Sequence, residues 1–335
     1  MAHLSLKSSI LVDLPPCTLV FFPSNSRFLI VGTYQLEKET GLRRGSLDVF
    51  DTVDGNLRLV NSITSASSSI LDVKISPHDS TLLITAHSTG NICMWRIIDE
   101  GVSLSLQLLA DQTVADDTNI LVLSLSFSPT SKEEISVTLT SGEWRTISLD
   151  HSSSYKATQS ISEQPHTLEA WTSAFNNAGA VLYTGGDDCL FQAYDLRMGC
   201  QVWQDRRSHS AGVTSILSDS LDDTRLWTGS YDDTMRVWDL RGPRGKVVGE
   251  TNLGGGVWRL IPRPASTNNE IFTCCMYNGA YVVTPSGAYG ESVDVLGTIK
   301  EGHESMVYGA DWTTDGSVVA SCSFYDKKLN LWKYP

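Results

Sequence analysis

Counted from Asp188, the stretch Gly186-Asp187-Asp188 leads six residues on to Tyr194-Asp195-Leu196-Arg197. Counted from Asp232, Ser230-Tyr231-Asp232-Asp233 leads six residues on to Trp238-Asp239-Leu240-Arg241, and the two copies stand 44 residues apart. Each copy is a tight acidic turn, a strand of alternating character and a Trp-Asp-like ending. An internal repeat of this period and content predicts one blade of a WD-repeat β-propeller per copy. Such a fold leaves function to the residues grafted onto its turns.

Followed along the chain, the turn position recurs seven times, at Gln35, Thr89, Ser141, Asp188, Asp232, Asn278 and Asp326. The apolar or aromatic residue six places on is Trp95, Ile147, Tyr194, Trp238 and Trp332 in five copies; the first is stretched by a charged insertion, Glu37 to Arg44, and the sixth has lost its aromatic. Seven blades in 335 residues leave about 48 residues per blade, the period of four strands. One closed ring then uses residues 1–335 as a single all-β domain. The last copy stops at Leu329-Asn330-Leu331-Trp332, a third strand. Its fourth is expected from Leu4 to Val12, closing the ring and covering an edge.

A formal charge of -13 argues against tracking nucleic-acid phosphates, which needs a basic stripe; it suits a soluble protein with a basic or cationic partner, and solubility alone explains it equally well. No apolar run is long enough to span a membrane, and the N-terminus lacks the pattern of a signal peptide. Seven scattered cysteines (17, 93, 189, 200, 274, 275, 322) include no Cys-x-x-Cys pair, which predicts reduced thiols in the cytosol or nucleus and no zinc site. No cofactor or metal is expected, and the serine-rich stretches 65–69 and 152–160 are read as inter-blade loops.

His166, His209 and His303 lie 22, 23 and 23 residues before Asp188, Asp232 and Asp326. Regular recurrence reads them as structural pairs tying two loops together, not as three acid–base dyads. The residue before each turn position reads Tyr34, Ser88, Thr140, Asp187, Tyr231, Tyr277 and Tyr325. Four tyrosines and a carboxylate around one channel mouth make a cage for a cation, because aromatic faces attract quaternary ammonium groups; the alternative is tyrosine merely tolerated at half-exposed turns. Gly254-Gly255-Gly256-Val257-Trp258-Arg259, Met306-Val307-Tyr308 and Glu169-Ala170-Trp171 enter blades six, seven and four. They add Trp258, Tyr308, Glu169 and Trp171 to the substrate-binding candidates, with Trp258 and Trp171 equally readable as core. Glycines at 254–256 are expected to let backbone approach a ligand.

Gly32-Thr33-Tyr34-Gln35-Leu36, Gly255-Gly256-Val257-Trp258-Arg259-Leu260, Val307-Tyr308-Gly309-Ala310-Asp311-Trp312 and Cys322-Ser323-Phe324-Tyr325-Asp326 together resemble the diphthine methylesterase family of WD-repeat proteins. The resemblance runs from residue 32 to 332 and is weakest in blades two and three. It implies a carboxylic ester hydrolase of diphthamide biosynthesis, and the chain is expected to be cytoplasmic and monomeric. Its substrate would be the methyl ester of methylated diphthine on translation elongation factor 2, a protein partner, and its products diphthine and methanol. That substrate carries a trimethylammonium group beside the ester, which suits the tyrosine rim.

No Gly-x-Ser-x-Gly elbow occurs, so the usual hydrolase nucleophile is absent. Ester hydrolysis needs a nucleophile or an activated water, and a donor for the oxyanion. The catalytic candidates are Asp187 as base, with its carboxylate expected free for this work; His87, unpaired by the 22–23 spacing, as a second base; Cys275 or Ser230 as nucleophile; and Arg259 or a tyrosine hydroxyl as oxyanion donor. Two rivals stand beside this reading: a non-catalytic adaptor, such as a ubiquitin-ligase substrate receptor or trafficking scaffold, and a reader of methylated lysine.

Overall fold

The computed structural model describes residues 4–65, 68–150, 155–264, 266–287 and 290–335. These form seven antiparallel sheets arranged as the blades of a propeller, with one 3-10 turn at Val53–Gly55 and no α-helix among the described residues. The innermost strands are Pro16–Phe21, Ile70–Ile75, Val122–Phe127, Ala170–Phe175, Val213–Ser218, Arg259–Pro262 and Val307–Trp312. Their apolar side chains interdigitate between neighbouring blades, where Trp144, Trp227, Trp238, Phe191 and Phe272 are fully buried.

The ring closes through its two ends. Ser5–Leu11 is the outermost strand of the seventh blade and pairs antiparallel with Lys328–Lys333, from Ser5 opposite Lys333 to Leu11 opposite Lys328. Leu4 and Val12, at either end of this strand, are buried. An otherwise open strand edge is thereby satisfied. The charged insertion of blade one folds as a hairpin extension, with Gln35–Leu36 paired to Arg43–Arg44. The serine-rich stretch at 152–160 departs from the loop expected there, because Lys156–Glu163 is the outer strand of blade three. Its alternating Lys156, Thr158 and Ser160 suit an exposed edge, and a blade without a fourth strand would leave one edge of the Trp144–Asp150 strand open. Residues 66–67 and 152–154 lie outside the described residues.

One irregularity repeats around the ring and positions the site. In six blades the pairing of the innermost with the second strand slips by one residue, at Cys17, Leu71, Leu123, Trp171, Thr214 and Tyr308. A bulge re-aims its extra side chain and bends the strand. In blade six Trp258 takes the equivalent place just before Arg259–Pro262, its N–H donating to the Cys274 carbonyl at 2.8 Å. All seven of these residues line one cavity at the axis.

Candidate functional site

The cavity has a volume of about 290 Å³ and lies on the face carrying the turns between second and third strands, since Tyr34, Thr140 and Tyr231 from those turns also line it. Its wall is unequal. Blades one, two, three and five contribute Cys17, Leu71, Leu123 and Thr214, whereas blades four, six and seven contribute Trp171, Trp258 and Tyr308. Trp258 is the hub, with ring centroids 5.6 Å from Trp171, 5.6 Å from Tyr231 and 4.9 Å from Tyr308. Phe324 continues the arc 5.4 Å from Tyr308, and Tyr34 lies 6.2 Å beyond it. All six are half-buried, so ring surface faces the cavity.

Glu169 is the one carboxylate in this wall among the described residues. Its side chain makes no hydrogen bond or ion pair among the described residues, yet it is close enough to help raise the pKa of Tyr231, after burial, Tyr308 and Asp187. Tyr308 is raised as well, by burial first and then by Tyr325 and Tyr277. Both phenols therefore stay protonated at neutral pH and present neutral aromatic surface. A half-buried carboxylate with no cation of its own, facing an arc of six rings, is a site for a cation.

The structural pair of blade four holds this wall in place. His166 Nδ1 meets Asp188 Oδ1 at 2.9 Å, and Asp188 Oδ2 accepts from the Thr167 N–H at 2.9 Å. The Asp187 N–H donates to the Glu169 carbonyl at 2.8 Å. The loop carrying Glu169 is thus fixed on both sides. The other two pairs differ from expectation. His209 Nδ1 has no partner and Asp232 pairs instead with Arg236 at 2.9 Å; His303 bonds Ser323 and Ser321, at 2.6 and 2.7 Å. What recurs is the backbone tie: Asp232 and Asp326 accept from the N–H of Ser210 and Glu304, the residues after the histidines, at 2.9 and 2.7 Å. A carboxylate reaches a main-chain N–H at that spacing without needing the imidazole.

Several expectations are corrected by where the side chains lie. Asp187 is not free: its Oδ1 accepts from Trp171 Nε1 at 2.9 Å, which orients the indole. His87 is buried at the end of its strand, between Ser68 Oγ at 3.1 Å and Thr85 Oγ1 at 2.7 Å, and burial lowers its pKa to about 4. It lines a separate cavity between blades one and two, with Asn91, Trp95 and Asp111. Cys275 is fully buried in the core of blades five and six, and burial pushes its thiol up. Ser230 is also buried, its hydroxyl donating to the Ala211 carbonyl at 3.1 Å. Tyr277 and Tyr325 are 74% and 66% exposed and stand outside the cavity wall, on its outer lip. The glycines before Trp258 serve the fold and not a ligand. A Cβ on Gly255 would stand 2.2 Å from the Cys275 carbonyl oxygen, and one on Gly256 2.6 Å from Met276 Sδ.

Arg259 lies at the cavity floor, where it also lines the central channel of about 500 Å³. There it pairs with Asp72 at 3.3 Å, a residue the sequence reading missed. Burial pushes the Asp72 carboxyl up, but Arg259, Lys74 and the Leu125 and Val73 N–H groups outweigh it, and the net shift is downward. Phe324 and the bulge residues Cys17, Leu71, Leu123 and Thr214 were missed too. Aligning the second residue of each innermost strand would have found the bulge set; nothing in the local sequence marks Asp72.

The fold defines a WD-repeat propeller with an aromatic cavity at its axis. The WD domain, G-beta repeat family matches residues 201–239 and 294–333. The chain is 36% identical to diphthine methyltransferase of Saccharomyces cerevisiae, over 97% of each chain, and 37% identical to that of Schizosaccharomyces pombe, over 91% and 90%. It belongs to the diphthine methyltransferase family, enzymes of diphthamide biosynthesis. The fold is shared with a chain of the crystal structure of the mitotic checkpoint complex, at a TM-score of 0.77 and 18% identity over 99% and 93% of the two chains.

Proposed function

We propose that this protein hydrolyses the methyl ester of methylated diphthine on translation elongation factor 2. The observation that carries the reading is the arc of Trp171, Tyr231, Trp258, Tyr308, Phe324 and Tyr34 facing the unpaired Glu169. It suits a trimethylammonium group, which has no N–H and is bound by ring faces and opposite charge. The ester beside that group is electrophilic, because the neighbouring positive charge withdraws electrons from its carbonyl. Such an ester needs little from a nucleophile and most from a donor to the oxyanion. Water adds to the carbonyl carbon, the C=O π pair moves onto oxygen, and collapse breaks the bond to methoxide. One proton of the added water passes to the departing methoxide, which leaves as methanol, and the acid formed releases the other to solvent. Arg259 at the floor is the oxyanion donor, and the exposed Tyr277 and Tyr325 meet the protein around the modified residue.

The relatives' name, methyltransferase, supports the opposite reaction as a second reading. One experiment separates the two: purified protein is incubated with elongation factor 2 carrying methylated diphthine. Hydrolysis yields methanol and a substrate lighter by one CH2, with no added methyl donor. A substrate that gains methyl groups only when a methyl donor is supplied overturns the proposal in favour of transfer. Binding without any mass change identifies a reader or adaptor.

A further inference from the structure

Asp72 and Arg259 come from blades on opposite arcs of the ring and meet where the aromatic cavity opens into the channel. The Asp72 carboxylate is wholly buried and heavily partnered. Thr18 Oγ1 donates to Oδ1 at 3.3 Å, the Val73 N–H to Oδ1 at 3.1 Å and the Leu125 N–H to Oδ2 at 3.1 Å, while Lys74 Nζ stands 3.7 Å away. These groups belong to blades one, two and three, so the carboxylate is fixed by the ring itself. Arg259 is the reverse case. Asp72 is its one ion-pair partner and it makes no side-chain hydrogen bond among the described residues, while its side chain is 22% exposed. Of the groups on Asp72, Arg259 alone also lines the aromatic cavity. A planar guanidinium held at one nitrogen by a fixed carboxylate has its remaining N–H donors directed by that contact.

We infer that Asp72 is a positioning residue. It holds Arg259 so that the free donors of the guanidinium meet an oxyanion, or a carboxylate, lying just below a quaternary ammonium in the cavity. The inference rests on the proposed ester hydrolysis for its catalytic consequence, but the geometry makes a claim about binding that does not. A ligand carrying a carboxylate next to a trimethylammonium group gains from Arg259; one carrying the ammonium alone does not.

Two measurements test this. In the first, tryptophan fluorescence follows binding of glycine betaine, which has the carboxylate, and of choline, which lacks it. Charge-assisted hydrogen bonds of this kind are worth about tenfold or more in affinity. Arg259→Gln and Asp72→Asn are each expected to weaken betaine by roughly that factor while choline is unchanged. In the second, methanol release is measured on the modified elongation factor. Loss of an oxyanion donor costs roughly 100-fold or more in kcat, so Arg259→Gln should lower kcat to that extent with KM little altered. Asp72→Asn should lower kcat less, and should add nothing in the Arg259→Gln background, because a residue acting only through another is silent once that other is gone. Arg259→Lys keeps the charge and the pairing with Asp72 but loses the fork; it should fail to restore kcat at an unchanged Tm. If Asp72→Asn does not fold, Asp72→Glu, which keeps the charge and displaces it by one methylene, takes its place in both measurements. Losses that multiply in the double variant, or betaine and choline weakened alike, overturn the inference. If the wild type releases no methanol, the hydrolytic reading fails, and the betaine–choline comparison still decides whether Asp72 aims Arg259.

Discussion

Glu169→Gln removes a charge from the cavity wall and leaves its shape, which makes it the sharpest probe of cation binding. Glu169 lines the same cavity as the rings around Trp258, so its attraction for an ammonium there is worked at a separation of roughly 5 Å. At an effective dielectric near 20, that attraction amounts to roughly 3 kcal/mol. Glu169 is half-buried, and water at the mouth screens the attraction to about 1–1.5 kcal/mol. Cation–π contacts of about 0.5–2 kcal/mol survive the change, so binding should weaken and not vanish. The expected outcome is a KM for modified elongation factor 2 raised about tenfold, with kcat within a factor of about three because Arg259 and the ester are untouched. Choline, measured as a competitive inhibitor, should weaken by the same factor. Raising the salt concentration should weaken choline on the wild type more than on the variant. An unchanged KM and an unchanged choline constant would refute the reasoning, since the ammonium would then lie elsewhere. A large fall in kcat at constant KM would refute it differently, by making Glu169 the acceptor of the water proton.

Deleting residues 1–13 should lower Tm sharply, because it strips the outer strand from Lys328–Lys333 and removes the buried Leu4 and Val12, worth roughly 3 kcal/mol or more together; an unchanged melting curve would show that the strand contributes nothing to closure. Asp311, half-buried in the channel wall, has its pKa raised to about 6, chiefly by desolvation. Its folded form therefore holds the proton more tightly than the unfolded chain, so stability is greatest below the ordinary carboxyl value and is lost as pH rises through about 6. Asp311→Asn, which keeps an acceptor for the Phe21 N–H, should stabilise by on the order of 3 kcal/mol at pH above neutrality and by little in acid, a difference that denaturant titrations at two pH values read directly. His87→Ala should cost about 1–3 kcal/mol by removing one hydrogen-bond partner each from Ser68 and Thr85, with kcat per folded molecule unchanged. His87, lowered to about 4 by burial, makes the fold less stable as pH falls from its ordinary value toward 4, so the variant should also lose less Tm than the wild type on acidification.

The repeat, the blade count and the closing strand were legible because a propeller writes its architecture as a period, and a period needs no knowledge of contacts. Trp171, Trp258, Tyr308, Tyr34 and Tyr231 were legible as candidates for the same reason: they recur at equivalent places. What the period could not show is which of two equivalent side chains turns inward. Tyr231 and Tyr325 hold the same turn position, yet one lines the cavity and the other is 66% exposed. In blade seven Phe324, one residue earlier, occupies the inner place. His87 was misread because a network of Ser68, Thr85 and Trp95 replaces its spacing to an aspartate. Asp72 was invisible because its partner lies 187 residues away in the sequence.

A ring of seven equivalent bulges would by itself make a symmetric mouth with no preferred direction. This one is divided. Small or aliphatic residues occupy blades one, two, three and five, and large rings occupy four, six and seven, so a ligand entering on the axis is drawn to one side of it. The charges divide along the same line, for Glu169 stands in the aromatic wall while Arg259 is pulled below it by Asp72. An ammonium held by the wall and a carbonyl held by the floor fix two points of a ligand, and two points set its orientation where one would leave it free to turn. On the proposed hydrolysis, the divided ring would supply the alignment on which proximity catalysis depends. The cost of building it is small, because a bulge side chain facing open cavity carries little of the packing that keeps the blades together.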